Sequence, residues 1–175
     1  MTLGTVYTIM PIPPEAGATK YFPAGDVTIG VETRGVDDAL VAEHFADVTP
    51  EQQAEIDANK PADLDDGGVS IHVCATRDLV EYLRFDCFRI EPHYHYITPA
   101  QGHQEVVRFD RAAQGDMVDW ALGRLEHHLP EMLSRAGAGD LAAAVDRAEV
   151  AQVLPQVRAA CEAAALTPLA SPEEL

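Results

Sequence analysis

Residues 69–110 carry the clearest structural signal in the sequence and read VSIHVCATRDLVEYLRFDCFRIEPHYHYITPAQGHQEVVRFD. Apolar and polar residues alternate along most of it, which is the period-two pattern of strands that bury one face. Turn-forming segments interrupt the alternation at residues 76–79, 89–92 and 98–102. Because such short connections join antiparallel neighbours, the stretch predicts an antiparallel meander.

The flanking residues extend this pattern in both directions. Residues 26–33 also alternate, residues 1–14 predict an edge strand ended by prolines, and residues 50–59 predict a short helix capped by Thr49. After Gly115, apolar residues recur at three- and four-residue steps, as in helices. Strands followed by helices predict an α+β fold, with roughly four to six antiparallel strands and C-terminal helices packed on one face.

The chain is short enough for one domain, predicted over residues 1–166, with a flexible tail at residues 167–175. Pro130 is expected to end or kink the first C-terminal helix, and Pro155 to interrupt the second. Residues 61–68, which combine three aspartates with two glycines, predict a solvated loop.

Composition excludes several functional classes. Twelve Lys and Arg face 29 Asp and Glu among 175 residues, a net charge of −17, which argues against binding nucleic acid or an anionic membrane surface. No apolar run approaches the roughly 20 residues of a membrane span, and no secretory leader pattern opens the chain. Three cysteines without zinc-finger spacing indicate reduced thiols, so we expect a cytoplasmic protein.

Strand parity divides the meander into two faces. The apolar face is predicted to pack against Trp120, and it collects Ile71, Val73, Leu83, Phe85, Tyr94, Tyr96, Val107 and Phe109. The opposite face collects the polar side chains His72, Arg84, Asp86, His93, His95 and Arg108. If the turn at 76–79 pairs Cys74 with Tyr82, then His72 lies opposite Arg84, Ser70 lies opposite Asp86, and the next hairpin brings Asp86 beside His93 or His95.

Two histidines in this polar set have the spacing of metal ligands. His93 and His95 project to the same side of one strand, with Cα atoms about 7 Å apart, so both rings can reach one ion. His72 or Asp86 would complete three ligands and leave a position for water or substrate, and His103 and Glu105 are alternatives. Imidazole with carboxylate suits a divalent metal, zinc or iron. This pattern predicts a small metal-binding enzyme that acts on a small anionic or polar substrate.

Two other interpretations stay open. In a metal-free acid–base enzyme, Asp86 would orient His93 or His95 as general base, while Arg84 and Arg108 would hold a carboxylate or phosphate. In a non-catalytic binding or assembly domain, the polar face would be ordinary cross-strand pairing. A homodimer could then form through the N-terminal edge strand or through a stripe of small and apolar residues at positions 141–161, although this stripe could equally cover the sheet.

Overall fold

A computed structural model describes residues 1–169, so the larger part of the predicted tail, residues 170–175, lies outside the described residues. The strands are β1 (Thr5–Tyr7), β2 (Thr19–Ala24), β3 (Val27–Asp37), β4 (Asp65–Ala75), β5 (Glu81–Phe88), β6 (His93–Thr98) and β7 (His103–Arg108). They form one seven-stranded sheet in the order β1-β7-β6-β5-β4-β3-β2. Every neighbouring pair is antiparallel, which confirms the predicted meander.

The sheet is larger than the four to six strands predicted, because β2 carries no clear strand signal. Its sequence is TKYFPA, and Pro23 cannot donate a hydrogen bond to a partner strand. β2 occupies an edge of the sheet and pairs on one side only, with β3. A proline is tolerated in that position, since an edge strand does not need every backbone donor.

The helices are α1 (Asp38–His44), α2 (Pro50–Asn59), α3 (Arg111–Gln114), α4 (Met117–Arg135), α5 (Gly139–Ala144) and α6 (Arg147–Ala165). The helix predicted over residues 50–59 is confirmed as α2, and its N-terminus has a capping box between Thr49 and Gln52. α4 packs on β5 and β6, while α6 packs on β2, β3 and β4. The C-terminal helices therefore cover one face of the sheet, as the pattern predicts.

The predicted apolar face forms the core under these helices. All eight of its residues are buried, and the half-buried Trp120 contacts the rings of Phe85, Tyr94 and Phe109 in edge-to-face and tilted arrangements. The stripe at positions 141–161 faces inward in part: Leu141, Val157 and Cys161 are buried in the same core, whereas Ala144 and Ala148 are exposed. Its α6 portion covers the chain's own sheet.

Neither internal proline ends its helix, so the predictions that Pro130 ends the first C-terminal helix and that Pro155 interrupts the second are wrong. α4 continues through Pro130 to Arg135, and α6 continues through Pro155 to Ala165. A proline leaves the carbonyl four residues earlier without its helical donor, and that residue is exposed in both helices, Glu126 in α4 and Ala151 in α6. Water can satisfy both carbonyls. The actual break comes before α6, where Asp146 caps the new helix.

The opposite face of the sheet is covered by other parts of the chain. Residues 7–12 and the α1–α2 region line a cavity above it. The predicted solvated loop at 61–68 is also wrong in part, because β4 begins at Asp65 and Asp66 is buried. No helix in the described range is long and apolar enough to cross a membrane.

Candidate functional site

The register of the central strands brings the predicted polar residues together. Ser70 pairs with Asp86 and His72 with Arg84 across β4 and β5, as the turn predicts. Across β5 and β6, Asp86 pairs with His93 and Arg84 with His95. The polar side chains therefore form a continuous patch on the face away from α4 and α6.

Three of these side chains meet at one point. Nε2 of His95 lies 3.1 Å from Oδ2 of Asp86, and Nε2 of His93 lies 3.4 Å from the same oxygen. One donor atom from each of the three residues lies within 4.8 Å of the other two. Asp86 and His95 are nearly buried, whereas the His93 side chain is 21% exposed. This geometry suits a single ion held by two imidazoles and a carboxylate.

In each residue of this trio, Asp86, His93 and His95, a hydrogen bond holds the atom that faces away from the shared point. Nδ1 of His93 donates to the backbone carbonyl of Glu91 at 2.6 Å, and Nδ1 of His95 donates to Oε1 of Gln104 at 2.6 Å. Both acceptors are oxygens without hydrogen, so each Nδ1 carries a proton and each Nε2 faces Asp86, as a donor when the ring is protonated and as a lone pair when the ring is neutral. Ser70 Oγ donates to Oδ1 of Asp86, which leaves Oδ2 for the shared point.

With both rings neutral, the two Nε2 lone pairs and the Asp86 carboxylate would repel one another. The pKa values of the three groups therefore depend on the balance between burial and their mutual contacts. Burial raises the pKa of Asp86, but hydrogen bonds from His93 and His95 outweigh burial and hold the pKa well below its ordinary value. Burial lowers the pKa of His93, but the bond to Asp86 outweighs it and raises the pKa overall. For His95, burial and the neighbouring His93 charge outweigh the same carboxylate and lower the pKa. A cation at the shared point, either a proton or a metal, stabilises this arrangement.

His72, the third predicted imidazole ligand, lies in a separate cluster. Its ring is fully buried; Nδ1 lies 2.6 Å from Glu81 Oε1 and Nε2 lies 3.1 Å from Glu32 Oε2. An imidazole between two carboxylates donates from both nitrogens, so His72 is held as an imidazolium. Burial lowers the pKa of His72, but the bonds to Glu32 and Glu81 outweigh burial and raise it. Within the described structure no nitrogen of this ring remains for an ion at the trio.

A β-bulge explains this cluster. The register shifts between Val73 and Cys74. Cys74 therefore pairs with Glu81, whereas the predicted register paired Cys74 with Tyr82. In a regular strand, Glu81 would share the apolar face with Leu83 and Phe85. Because the bulge adds one residue, Glu81 lies on the polar face and reaches both His72 and Arg84.

The two predicted arginines have different surroundings. Arg84 is buried, and its Nε and Nη2 donate to the two carboxylate oxygens of Glu81 at 2.9 and 2.7 Å. Burial lowers the pKa of Arg84, but the Glu81 charge outweighs burial and raises it. Arg108 has a side chain that is 76% exposed, and it pairs with Glu91 at 3.3 Å near the cavity mouth.

The trio lies in the floor of a cavity of about 260 Å³, which Arg84 and Gln104 also line. Its walls are mainly apolar and come from the N-terminal segment, the α1–α2 region and the neighbouring strands: Ile9, Ile12, Val36, Val41, Phe45, Ile56, Leu64, Phe88 and Val106. Arg34 holds the N-terminal wall in place by donating to the carbonyls of Ile12 and Pro13 at 2.9 and 3.1 Å. The predicted polar face is thus enclosed on several sides.

Of the alternative ligands, neither His103 nor Glu105 belongs to the trio. Glu105 binds Arg135 at 2.8 Å and accepts from the backbone of Gly4 at 2.8 Å. Sequence reasoning missed Gln104, although its parity in β7 matches that of Arg108 and placed it on the polar face. Glu32 was missed because its partner His72 lies forty residues away in the sequence. Glu81 was missed because only the bulge places it on the polar face.

No curated protein and no solved structure matches this chain. One sequence family matches, DUF7700, a domain of unknown function, and the match covers residues 21–161 of the 175. The matched range contains Asp86, His93 and His95 together with the Glu32–His72–Glu81 cluster. The chain belongs to the DUF7700 family.

Proposed function

We propose that this protein is a small metal-dependent enzyme in which Asp86, His93 and His95 hold one divalent ion, zinc or iron. The substrate would be a small polar or anionic molecule bound in the cavity above them. Zinc at such a site activates a water molecule for hydrolysis, and iron supports oxidation. Three protein ligands leave coordination positions that face the cavity, where a substrate can enter.

One observation carries this proposal: every group in the trio has its far atom fixed by a separate partner. The Glu91 carbonyl, Gln104 and Ser70 do so for His93, His95 and Asp86 respectively. Such outer partners set the tautomer and ring orientation of metal-binding histidines. An incidental cluster of polar side chains does not require all three lone-pair atoms to point inward.

Arg84 and Arg108 are the residues proposed to position an anionic group of the substrate. Arg84 lines the cavity floor beside the trio, because it pairs with His95 across the strands. Arg108 lies at the mouth, where an exposed charge can attract an anion from solution. Asp86 would hold its negative charge throughout, since its pKa lies well below the ordinary value.

Elemental analysis of the protein purified without a histidine tag tests the proposal. We expect near-stoichiometric zinc or iron in the wild type and none in a His93→Ala/His95→Ala variant that circular dichroism shows to be folded. His127→Ala/His128→Ala is the matched control, because it removes two histidines that are exposed on α4. The control should keep the metal. No metal in the wild type, even after zinc or iron(II) is added under reducing conditions, would overturn the proposal.

A metal-free acid–base enzyme is the second candidate, and the contact of both histidines with one oxygen of Asp86 favours it. His93 has a raised pKa and His95 a lowered one, with ring centroids 4.9 Å apart. The pair could supply one acid and one base within a single cavity. This candidate predicts that the metal analysis is negative while ligands still bind in the cavity.

A further inference from the structure

Arg84 leaves one end of its guanidinium group without a protein partner. Nε and Nη2 are bound to Glu81, but no residue in the described part of the chain accepts a hydrogen bond from Nη1. The residue is only 2% exposed and lines the cavity that contains the trio. Among the described residues the only fully buried side-chain polar atom without a partner is Nε of Arg124, so Nη1 of Arg84 has access to the cavity and marks a position for an acceptor from outside the protein.

The charges around the cavity floor limit the net charge that this acceptor can carry. Four carboxylates are buried or nearly buried, Glu32, Asp66, Glu81 and Asp86, and the buried cations are Arg34, Arg84 and the imidazolium of His72. A divalent ion on the trio therefore leaves one positive charge uncompensated. A single negative charge on the ligand balances it, whereas a dianion would place excess negative charge beside Asp86.

The walls and volume of the cavity limit the polarity and the size of the rest of the ligand. Its volume of about 260 Å³ is below the roughly 300–1,000 Å³ of pockets that enclose drug-sized molecules. An apolar cavity of about 150 Å³ holds one benzene ring, so there is room here for a ring-sized apolar body with a small head group. The apolar walls lie toward α1 and α2 and the polar groups lie in the floor.

We propose that the cavity binds a small monocarboxylate with an apolar body, its carboxylate on the free end of Arg84 and its apolar part against the α1–α2 wall. The planar end of a guanidinium presents parallel N–H donors that match the two oxygens of a carboxylate. This placement brings the atoms next to the carboxylate close to Asp86, His93 and His95. The inference rests on the proposed function for the metal charge, but the contact with Arg84 does not need the ion.

Three ligands that share one benzyl group test this proposal by isothermal titration calorimetry. They are phenylacetate, the neutral phenylacetamide and benzylphosphonate, each titrated into zinc-loaded and into metal-free full-length protein at a pH above the second pKa of the phosphonate, so that benzylphosphonate is a dianion. We expect the affinity for phenylacetate to be at least about tenfold higher than for either of the others, because a hydrogen bond to a charged group contributes about that much. The preference over the amide should be smaller without zinc, because the cavity floor then lacks the divalent charge, and the part that remains comes from Arg84.

Variants of two arginines locate the contact. Arg84→Lys keeps the charge but loses the planar fork, and it should weaken phenylacetate roughly tenfold or more. Arg77→Lys makes the same change at an exposed position in the β4–β5 turn and should leave the affinity unchanged. If Arg84→Lys does not fold, the ligand series on the wild type still decides the question.

The outcomes separate this inference from the proposed function. If zinc binds but phenylacetate and phenylacetamide bind equally, the carboxylate site is wrong and the metal site stands. If benzylphosphonate binds more tightly than phenylacetate, the assignment of a monocarboxylate is wrong. If zinc does not bind but phenylacetate is preferred through Arg84, the carboxylate site stands and the metal proposal falls.

Discussion

Nδ1 of His72 lies 2.6 Å from Oε1 of Glu81, and this contact exists because β5 is bulged beside Cys74. The same carboxylate binds Arg84 through both of its oxygens, so Glu81 joins the imidazolium of His72 to the guanidinium at the cavity floor. Glu32 binds the other side of His72 and also Arg34. A buried chain of alternating charges therefore runs across β3, β4 and β5 beneath the cavity.

The residues of this buried series of charges should be energetically coupled. His72→Gln leaves Glu32 and Glu81 without their shared cation, and we expect it to lower the free energy of unfolding by about 3–5 kcal/mol. The double variant His72→Gln/Glu81→Gln removes charges of both signs and should lose less than the sum of the two single variants. Urea unfolding of the four proteins measures the coupling. Strict additivity would show that the contact contributes nothing.

The same contact predicts a pH window. Burial raises the pKa of Glu81, but Arg84 and His72 outweigh it and lower the pKa from 4.5 to about 2, so its stabilisation is complete above pH 4.5 and is lost as pH falls toward 2. The pKa of His72 is raised above 6.5, so its stabilisation is complete below pH 6.5 and is lost as pH rises through the folded-state pKa.

The difference in unfolding free energy between the wild type and the double variant should therefore be largest between about pH 4.5 and 6.5. Urea unfolding from about pH 2 to pH 9, with chelator present to keep metal off the trio, measures how the difference falls on either side of this window. A difference that stays constant from pH 2 to 9 would contradict the assignment of His72 as an imidazolium.

The bulge also shows where prediction from the sequence stops. Alternation and turn position were enough to place Ser70 opposite Asp86 and His72 opposite Arg84, because register follows from where the turn lies. A bulge changes the face of every residue beyond it, and here only Glu81 at the start of β5 is affected. Nothing in the sequence EYLRFDCF marks the extra residue, and parity alone would place Glu81 on the apolar face with Leu83 and Phe85.

Gln104 provides the next prediction, since it is the acceptor for Nδ1 of His95. Gln104→Leu has a similar size but cannot accept the hydrogen bond, so the ring would lose its fixed tautomer and orientation. We expect zinc affinity to fall about 10–100-fold, the range typical of outer partners of metal ligands. Competition titration against a chromophoric chelator measures it. Gln101→Leu, at an exposed position in the preceding turn, is the control and should bind zinc like the wild type.

Asp66 acts on the trio through a backbone turn. Its carboxylate accepts from the backbone N–H of Gly67, Ile90 and Glu91, and the Glu91 carbonyl in turn accepts from Nδ1 of His93. Asp66→Asn loses the charge and an acceptor and should lower the free energy of unfolding by about 1–3 kcal/mol. It should also weaken zinc binding, which a purely structural change far from the site would not do. Asp65→Asn, at the exposed neighbouring position, should change neither quantity.

The enclosure of the polar face was beyond sequence reasoning for a physical reason. Strand parity shows which side chains share a face but not what covers that face. Here α2 is attached to the N-terminal segment by long-range contacts: Gln52 donates to the carbonyl of Thr8, and Glu55 accepts from the Thr8 backbone, both at 2.8 Å. The partners lie more than forty residues apart in the chain. No local sequence pattern therefore predicts the cavity wall.

The last prediction concerns Pro130, which lies inside α4 on the opposite face of the sheet from the trio. A proline in a helix interior costs about 3 kcal/mol or more, although it also restricts the unfolded chain, which offsets up to about 1 kcal/mol. Pro130→Ala restores the hydrogen bond to the Glu126 carbonyl, so we expect the free energy of unfolding to rise by about 2 kcal/mol. Pro130→Gly restores the same donor but should gain about 1 kcal/mol less, because glycine is a poorer helix former.

Zinc affinity should be the same in both Pro130 variants as in the wild type, because α4 supports the apolar core and touches none of the three proposed ligands. A gain in stability without a change in zinc binding would show that the two faces of the sheet can be altered independently. A loss of stability in Pro130→Ala would mean that the proline ring makes packing contacts worth more than the missing hydrogen bond. A change in zinc affinity would mean instead that the helix layer sets the positions of β5 and β6, which carry Asp86, His93 and His95.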